Sequence, residues 1–182
     1  MRKQMVKEEV SKESEALDSE NGERFVILLR HGIAEEKSVD KPDDDRALTR
    51  EGNARMKQNA RGLAAVFPKV EAIYSSPLVR AIQTGLWVTK GYRRKLRLQT
   101  IEALRHERDP AEVIEFVRGL AERRIILVGH EPHLSRTMAV WTQLGTEDIE
   151  LKKGGCYGLR VPDEGPATLE WILPPRILRK LT

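Results

Sequence analysis

The chain of 182 residues holds one cysteine, Cys156, and nine aromatic residues. A lone cysteine excludes an internal disulfide and any cysteine-rich zinc site, and it agrees with a reducing compartment. Cys156 itself reads as a small buried apolar residue. No apolar run approaches the roughly 18 residues that a membrane span requires, and the N-terminus lacks the apolar core of a signal peptide. A cytoplasmic, soluble protein with no membrane partner is expected. The few aromatics do not interleave with basic runs, so the stacking surface of a nucleic-acid binder is missing as well. No G-x-S-x-G nucleophile elbow occurs, which removes one large class of serine hydrolases.

The chain is rich in charge, at 33% Asp, Glu, Lys and Arg, with a net of +4. That charge is unevenly spread, because residues 1–23 are acidic and the remainder is correspondingly basic. The first 23 residues read as a disordered acidic leader and residues 24–182 as one domain. A basic body without a stacking surface points to phosphate on a protein or a small molecule.

From Arg24 onward, strand-like and helix-like runs alternate. "RFVILLR", "VEAIYSS", "KLRLQT" and "RIILVG" read as strands, and Thr49 to Val66, Pro77 to Lys90, Pro110 to Glu122 and Pro132 to Leu144 as helices. Thr49, Ser76 and Asp109 are the expected helix caps, the last two with proline following. "CYGLRV", "PDEGP" and "ATLEWIL" then read as a hairpin on the sheet edge. The pattern predicts an α/β fold with a mostly parallel sheet covered on both faces.

In such sheets ligands bind beyond the carboxyl ends of the strands. "FVILLRHG" delivers Arg30 and His31 to that edge, and "IILVGHEPH" delivers His130 to the same edge from another strand. "YSSPLVRAIQT" places Arg80 in the first turn of a helix, where backbone N–H groups favour an anion. Arginine forks match phosphate oxygens, and histidine can accept a phosphoryl group on a ring nitrogen. Two histidines and two arginines over one pocket therefore suit phosphoryl transfer. Gly32 would let the backbone pass close to the phosphate. "GHEPH" is a poor metal motif, because Pro132 interrupts the helix and the second histidine comes one residue early. "KPDDDR", Lys41 to Arg46, reads as a solvated loop over the pocket mouth.

"LLRHG", "SSPLVRAIQT" and "VGHEPHLS", in this order, resemble the histidine phosphatase superfamily, and "LTREG" with the ending "LKKGGCYGLRV" is similar to its small SixA-like phosphohistidine phosphatase branch. The resemblance implies a phosphoglycerate mutase-like three-layer α/β/α sandwich that uses neither metal nor organic cofactor. It implies His31 as the nucleophile, Arg30 and Arg80 on the phosphate, and His130 completing the pocket. Larger members carry an acidic residue in an insertion between the second and third motifs. This chain has only "TIEALRHERDPAEV" there, so Glu102 and His106 are the candidate acids at the substrate, beside a third option of no dedicated acid. An imidazole leaves more readily than an alkoxide, which favours phosphohistidine over esters. The expected partner is a phosphorylated protein such as a histidine phosphotransfer domain, met by a monomer. A small-molecule phosphomonoesterase and a non-catalytic phosphohistidine-binding module are the alternatives.

Overall fold

The apolar run before Arg30 forms strand β1, Arg24–Arg30, with every residue buried except the last. In the computed structural model, which describes residues 23–92, 95–145 and 149–181, it lies inside a six-stranded sheet. The other strands are β2 (Ala72–Ser75), β3 (Leu98–Thr100), β4 (Arg124–Gly129), β5 (Cys156–Val161) and β6 (Thr168–Leu173). Their spatial order is β3-β2-β4-β1-β5-β6. The pairs β1/β4, β2/β4 and β2/β3 are parallel, and β5 and β6 join antiparallel as the C-terminal hairpin on one edge. The expected acidic leader lies, but for Glu23, outside the described residues.

The helices are α1 (Arg50–Val66), α2 (Val79–Gly91), α3 (Pro110–Arg118), α4 (His133–Thr142) and α5 (Pro175–Leu178). Alternate residues of each central strand point to opposite faces. Ile27, Leu29, Ile126 and Val128 meet Met56 and Leu63 of α1, Ala81 and Val88 of α2 and Leu178 of α5. Val26, Leu28, Ile125 and Leu127 meet Val113 and Val117 of α3 and Leu134, Met138 and Trp141 of α4. Two such layers explain why the central strands carry no polar face. Each fully buried Leu, Ile or Val contributes about 1.5–3 kcal/mol, so β1 and β4 anchor the sheet. Cys156 is fully buried in the first of these layers.

Thr49 caps α1 by accepting from the Gly52 N–H at 2.9 Å, and Asp109 caps α3 by accepting from the Ala111 N–H at 2.8 Å. Ser76 does not cap α2, which starts two residues later than its sequence signal, after Leu78. Both Ser76 and Leu78 are fully buried, and the serine is engaged elsewhere, as described below. Among the described residues no helix is long and apolar enough to cross a membrane.

Candidate active site

The register Arg30↔Gly129 between the parallel strands β1 and β4 makes the next residue of each, His31 and His130, leave the sheet side by side. Their ring centroids are 5.1 Å apart. The His31 N–H donates to the Gly129 carbonyl at 3.0 Å, tying the two strand ends together. The His31 ring donates from Nδ1 to the Gly32 carbonyl at 2.7 Å, which fixes the tautomer and leaves the Nε2 lone pair unused. Burial, opposed by that carbonyl and reinforced by the charges of Arg80, Arg30 and Lys153, pushes the ring pKa down to about 3. A neutral ring with a free nitrogen is a nucleophile at neutral pH.

His130 is only 2% exposed and is held through Nε2 by the Ser76 hydroxyl at 2.8 Å. The Ser76 oxygen also accepts from the Leu78 N–H at 3.4 Å, and the second ring nitrogen of His130 is Nδ1. That Nδ1 is buried and has no partner among the described residues. Burial, and then the nearby His31 and Arg80, push the His130 pKa down to about 2. Ser76 is thus an orienting residue, a role its sequence position between a strand and a proline had disguised as a cap.

Arg80, 3% exposed, comes from the first turn of α2. Its Nη1 donates to the Asp43 backbone carbonyl at 2.7 Å and its Nη2 to the Asp43 carboxylate at 2.8 Å. The "KPDDDR" loop therefore closes onto the site as a 3-10 turn, Asp43–Asp45, and is not merely solvated. Arg46 donates to the same carboxylate at 2.9 Å. Despite its burial, Asp43 is held below the usual carboxylate range by Arg80 and Arg46. Arg30 donates from Nη1 to Glu150 at 2.7 Å and to the Leu151 carbonyl. Arg30 Nε and Arg80 Nε are both buried and without partners among the described residues. Buried N–H groups left open in this way are what an incoming anion would satisfy.

The remaining candidates separate. Gly32 donates its N–H to Thr84 Oγ1 at 3.0 Å, and a side chain there would start 2.5 Å from Met56 Cγ. Its glycine is thus explained by close packing against α1, and its amide is occupied by Thr84. Glu102 turns onto Arg105, whose Nε donates to it at 2.7 Å, and its side chain is 70% exposed. His106 instead presents its ring edge-on to His130, centroids 5.7 Å apart. His133, the first residue of α4, is 1% exposed. Glu131, in the sequence only a member of the poor "GHEPH" metal motif, accepts from the N–H groups of Ser135 and Leu151, both at 3.3 Å, and so holds the loop that Arg30 also grips. Burial raises its carboxyl above the usual range.

Residues 26–113, which carry His31, Arg30, Arg80, Glu102 and His106, match the model of the histidine phosphatase superfamily, branch 1. The chain belongs to this superfamily. An uncharacterized protein of Picosynechococcus sp. is 30% identical over 140 residues, 74% of this chain and 84% of that protein. The structure of the protein histidine phosphatase SixA complexed with tungstate is similar with a TM-score of 0.77 at 21% identity, over 85% of this chain and 99% of that one. A phosphoserine phosphatase of Entamoeba histolytica in complex with phosphoserine superposes with a TM-score of 0.68 at 16% identity, over 85% of this chain and 99% of that one. At such identities the structural likeness concerns the fold, which is phosphoglycerate mutase-like. As a histidine phosphatase superfamily member the chain is a phosphatase, and the same fold serves relatives named for different phosphorylated groups.

Proposed function

We propose that this chain is a metal-independent phosphatase that forms a phosphohistidine intermediate on His31 and draws its phosphoryl group from phosphohistidine on a signalling protein. One observation carries the reading: a neutral histidine with a free Nε2 sits among three buried nitrogens, Arg30 Nε, Arg80 Nε and His130 Nδ1, that lack partners among the described residues. The likeness to SixA supports the substrate class.

In the first step the two arginines and His130 Nδ1–H hold the phosphoryl oxygens, and His31 Nε2 attacks phosphorus in line. The new N–P bond forms as the substrate's N–P bond breaks, and the departing imidazole keeps the pair. It leaves as a neutral ring when its other nitrogen is protonated, which a histidine near pH 6.5 readily provides. Water then attacks phosphorus, the pair returns to His31 Nε2, and inorganic phosphate departs. The donors gain strength as charge spreads over the equatorial oxygens.

The test compares wild type with His31→Ala on a phosphorylated histidine phosphotransfer domain and on phosphomonoesters, with acid-quenched samples assayed for an acid-labile phosphoenzyme. Fast release from the domain, loss of that release in the variant and a label on residue 31 are expected. Phosphate binding without release from any substrate would leave a binding module in place of an enzyme.

A further inference from the structure

The turn just before β5 is built onto the backbone of His31. The Gly155 N–H donates to the Lys152 carbonyl at 2.7 Å and Gly154 takes a φ of 79°, the combination of a type II turn with Lys153 at its leading corner. Only glycine takes that φ readily, and a Cβ there would also stand 2.5 Å from Asn59 Nδ2. The Gly154 N–H donates to the Arg30 and His31 carbonyls, each at 3.1 Å, and the Arg30 N–H donates to the Gly155 carbonyl at 3.0 Å. Three side chains hold the same segment: Asn59 Nδ2 donates to the Gly154 carbonyl at 3.1 Å, Arg30 Nη1 donates to the Leu151 carbonyl, and Glu131 accepts from the Leu151 N–H at 3.3 Å.

Lys153 is thus set beside His31 by backbone hydrogen bonds, with its side chain exposed. Its charge acts on the His31 ring together with those of Arg80 and Arg30. The other cations around the pocket are matched to acids: Arg30 to Glu150, Lys41 to Glu35, Arg80 and Arg46 to Asp43, and Arg105 to Asp44. Lys153 makes no ion pair among the described residues. A phosphoryl group belongs deeper, where the open Nε atoms of Arg30 and Arg80 are buried. An exposed ammonium above them meets what surrounds that group on its carrier.

We infer that Lys153 binds an acidic side chain of the phosphoprotein next to its phosphohistidine, and so selects phosphorylated sites with acidic neighbours. The inference rests on the phosphohistidine reading above. A compact ammonium on a flexible four-carbon stem suits a carboxylate whose place varies from one partner to the next, whereas a guanidinium would demand a planar match. The turn is already held before the substrate arrives, so only the lysine side chain is ordered on binding. Because the contact lies away from the phosphorus, it is the same before and during transfer. Its loss should therefore raise KM and spare kcat.

Phosphohistidine peptides that differ only in carrying aspartate, alanine or lysine on both sides of the phosphohistidine test this on wild type, Lys153→Ala, Lys153→Glu and Lys180→Glu. Lys180 is an exposed lysine just after α5, which packs on Gly62 near the far end of α1, so its variant reports net charge alone. Wild type should favour the aspartate peptide over the lysine peptide by about tenfold in kcat/KM, through KM. Lys153→Ala should cut that preference to about threefold or less and Lys153→Glu should abolish or reverse it, while Lys180→Glu keeps it within about twofold. A wild type without the preference, or an equal loss in Lys180→Glu and Lys153→Glu, would overturn the inference. Failure of the phosphohistidine reading looks different: wild type then releases phosphate from none of the peptides. Peptide binding to His31→Ala, with and without Lys153→Ala, read by fluorescence anisotropy, decides the role of Lys153 in that case too. An aspartate preference that Lys153→Ala removes supports it, and binding without such a preference overturns it, as does no binding.

Discussion

His31 and His130 face each other at 5.1 Å from the ends of two adjacent parallel strands, and burial keeps both rings neutral. Their folded pKa values of about 3 and about 2 lie below the 6.5 of an unfolded histidine. Between these limits the unfolded chain binds protons that the folded one refuses, so stability is full above about pH 6.5 and falls as the pH drops towards the folded values. Each ring contributes a slope of about 1.4 kcal/mol per pH unit. Denaturant titrations near pH 7 and near pH 5 should therefore show a smaller loss in His31→Gln than in wild type, by about 2 kcal/mol. Equal losses would mean that the rings are not buried neutral.

Ser76→Ala should leave the fold in place and lower kcat by about tenfold or more. The Ser76 hydroxyl holds His130 through Nε2, and without it the ring loses the contact that orients it. Ser76→Thr, which keeps a hydroxyl, should recover part of the rate if the buried site admits the methyl group. Nitrogen chemical shifts of His130 would report the change at the ring, and an unchanged kcat in Ser76→Ala would refute the orienting role of Ser76.

Asp43→Asn should tighten the binding of inorganic phosphate by about tenfold, or roughly 1.4 kcal/mol. The carboxylate on Arg80 repels an arriving anion, while an amide oxygen in its place still accepts from the guanidinium. Calorimetric titration with phosphate measures this directly. Weaker binding would show that the charge of Asp43 serves to aim Arg80 more than it opposes the ligand.

Gly52→Ala should destabilise the protein by about 1–3 kcal/mol or more. A Cβ at position 52 would stand 2.0 Å from the Ile33 carbonyl oxygen, and backbone cannot yield as a side chain can. Because Ile33 lies two residues after His31, activity should fall with stability. Melting temperature and phosphate release, measured together, check both parts.

The sheet, its hairpin and the convergence of His31, Arg30, Arg80 and His130 were legible because each rests on local pattern: apolar runs that end in polar residues, caps and proline signals. Ser76 and Asp43 were not. Ser76 finds His130 across 54 residues and Arg80 finds Asp43 across 37, and no periodicity encodes a contact between side chains on separate elements. The start of α2 was misplaced for the same reason, since a serine oxygen bound to a buried histidine cannot also serve as the expected helix cap. Glu102 and His106 looked alike in sequence. Only the direction of the turn that carries them sends one outward to Arg105 and the other against His130.

The position of β1 between β4 and β5 also bears on the timing of assembly. Both neighbours of β1 come late in the chain, and the Arg30 contact with the Leu151 carbonyl spans 121 residues. Loops of that length must close before such pairing is rewarded, which makes the centre of this sheet slow to form. During synthesis the strand that leads into His31 is made first and waits with open edges until β5 has left the ribosome. A growing chain thus cannot complete the site at the carboxyl end of β1 until β4 and β5 have both paired with that strand.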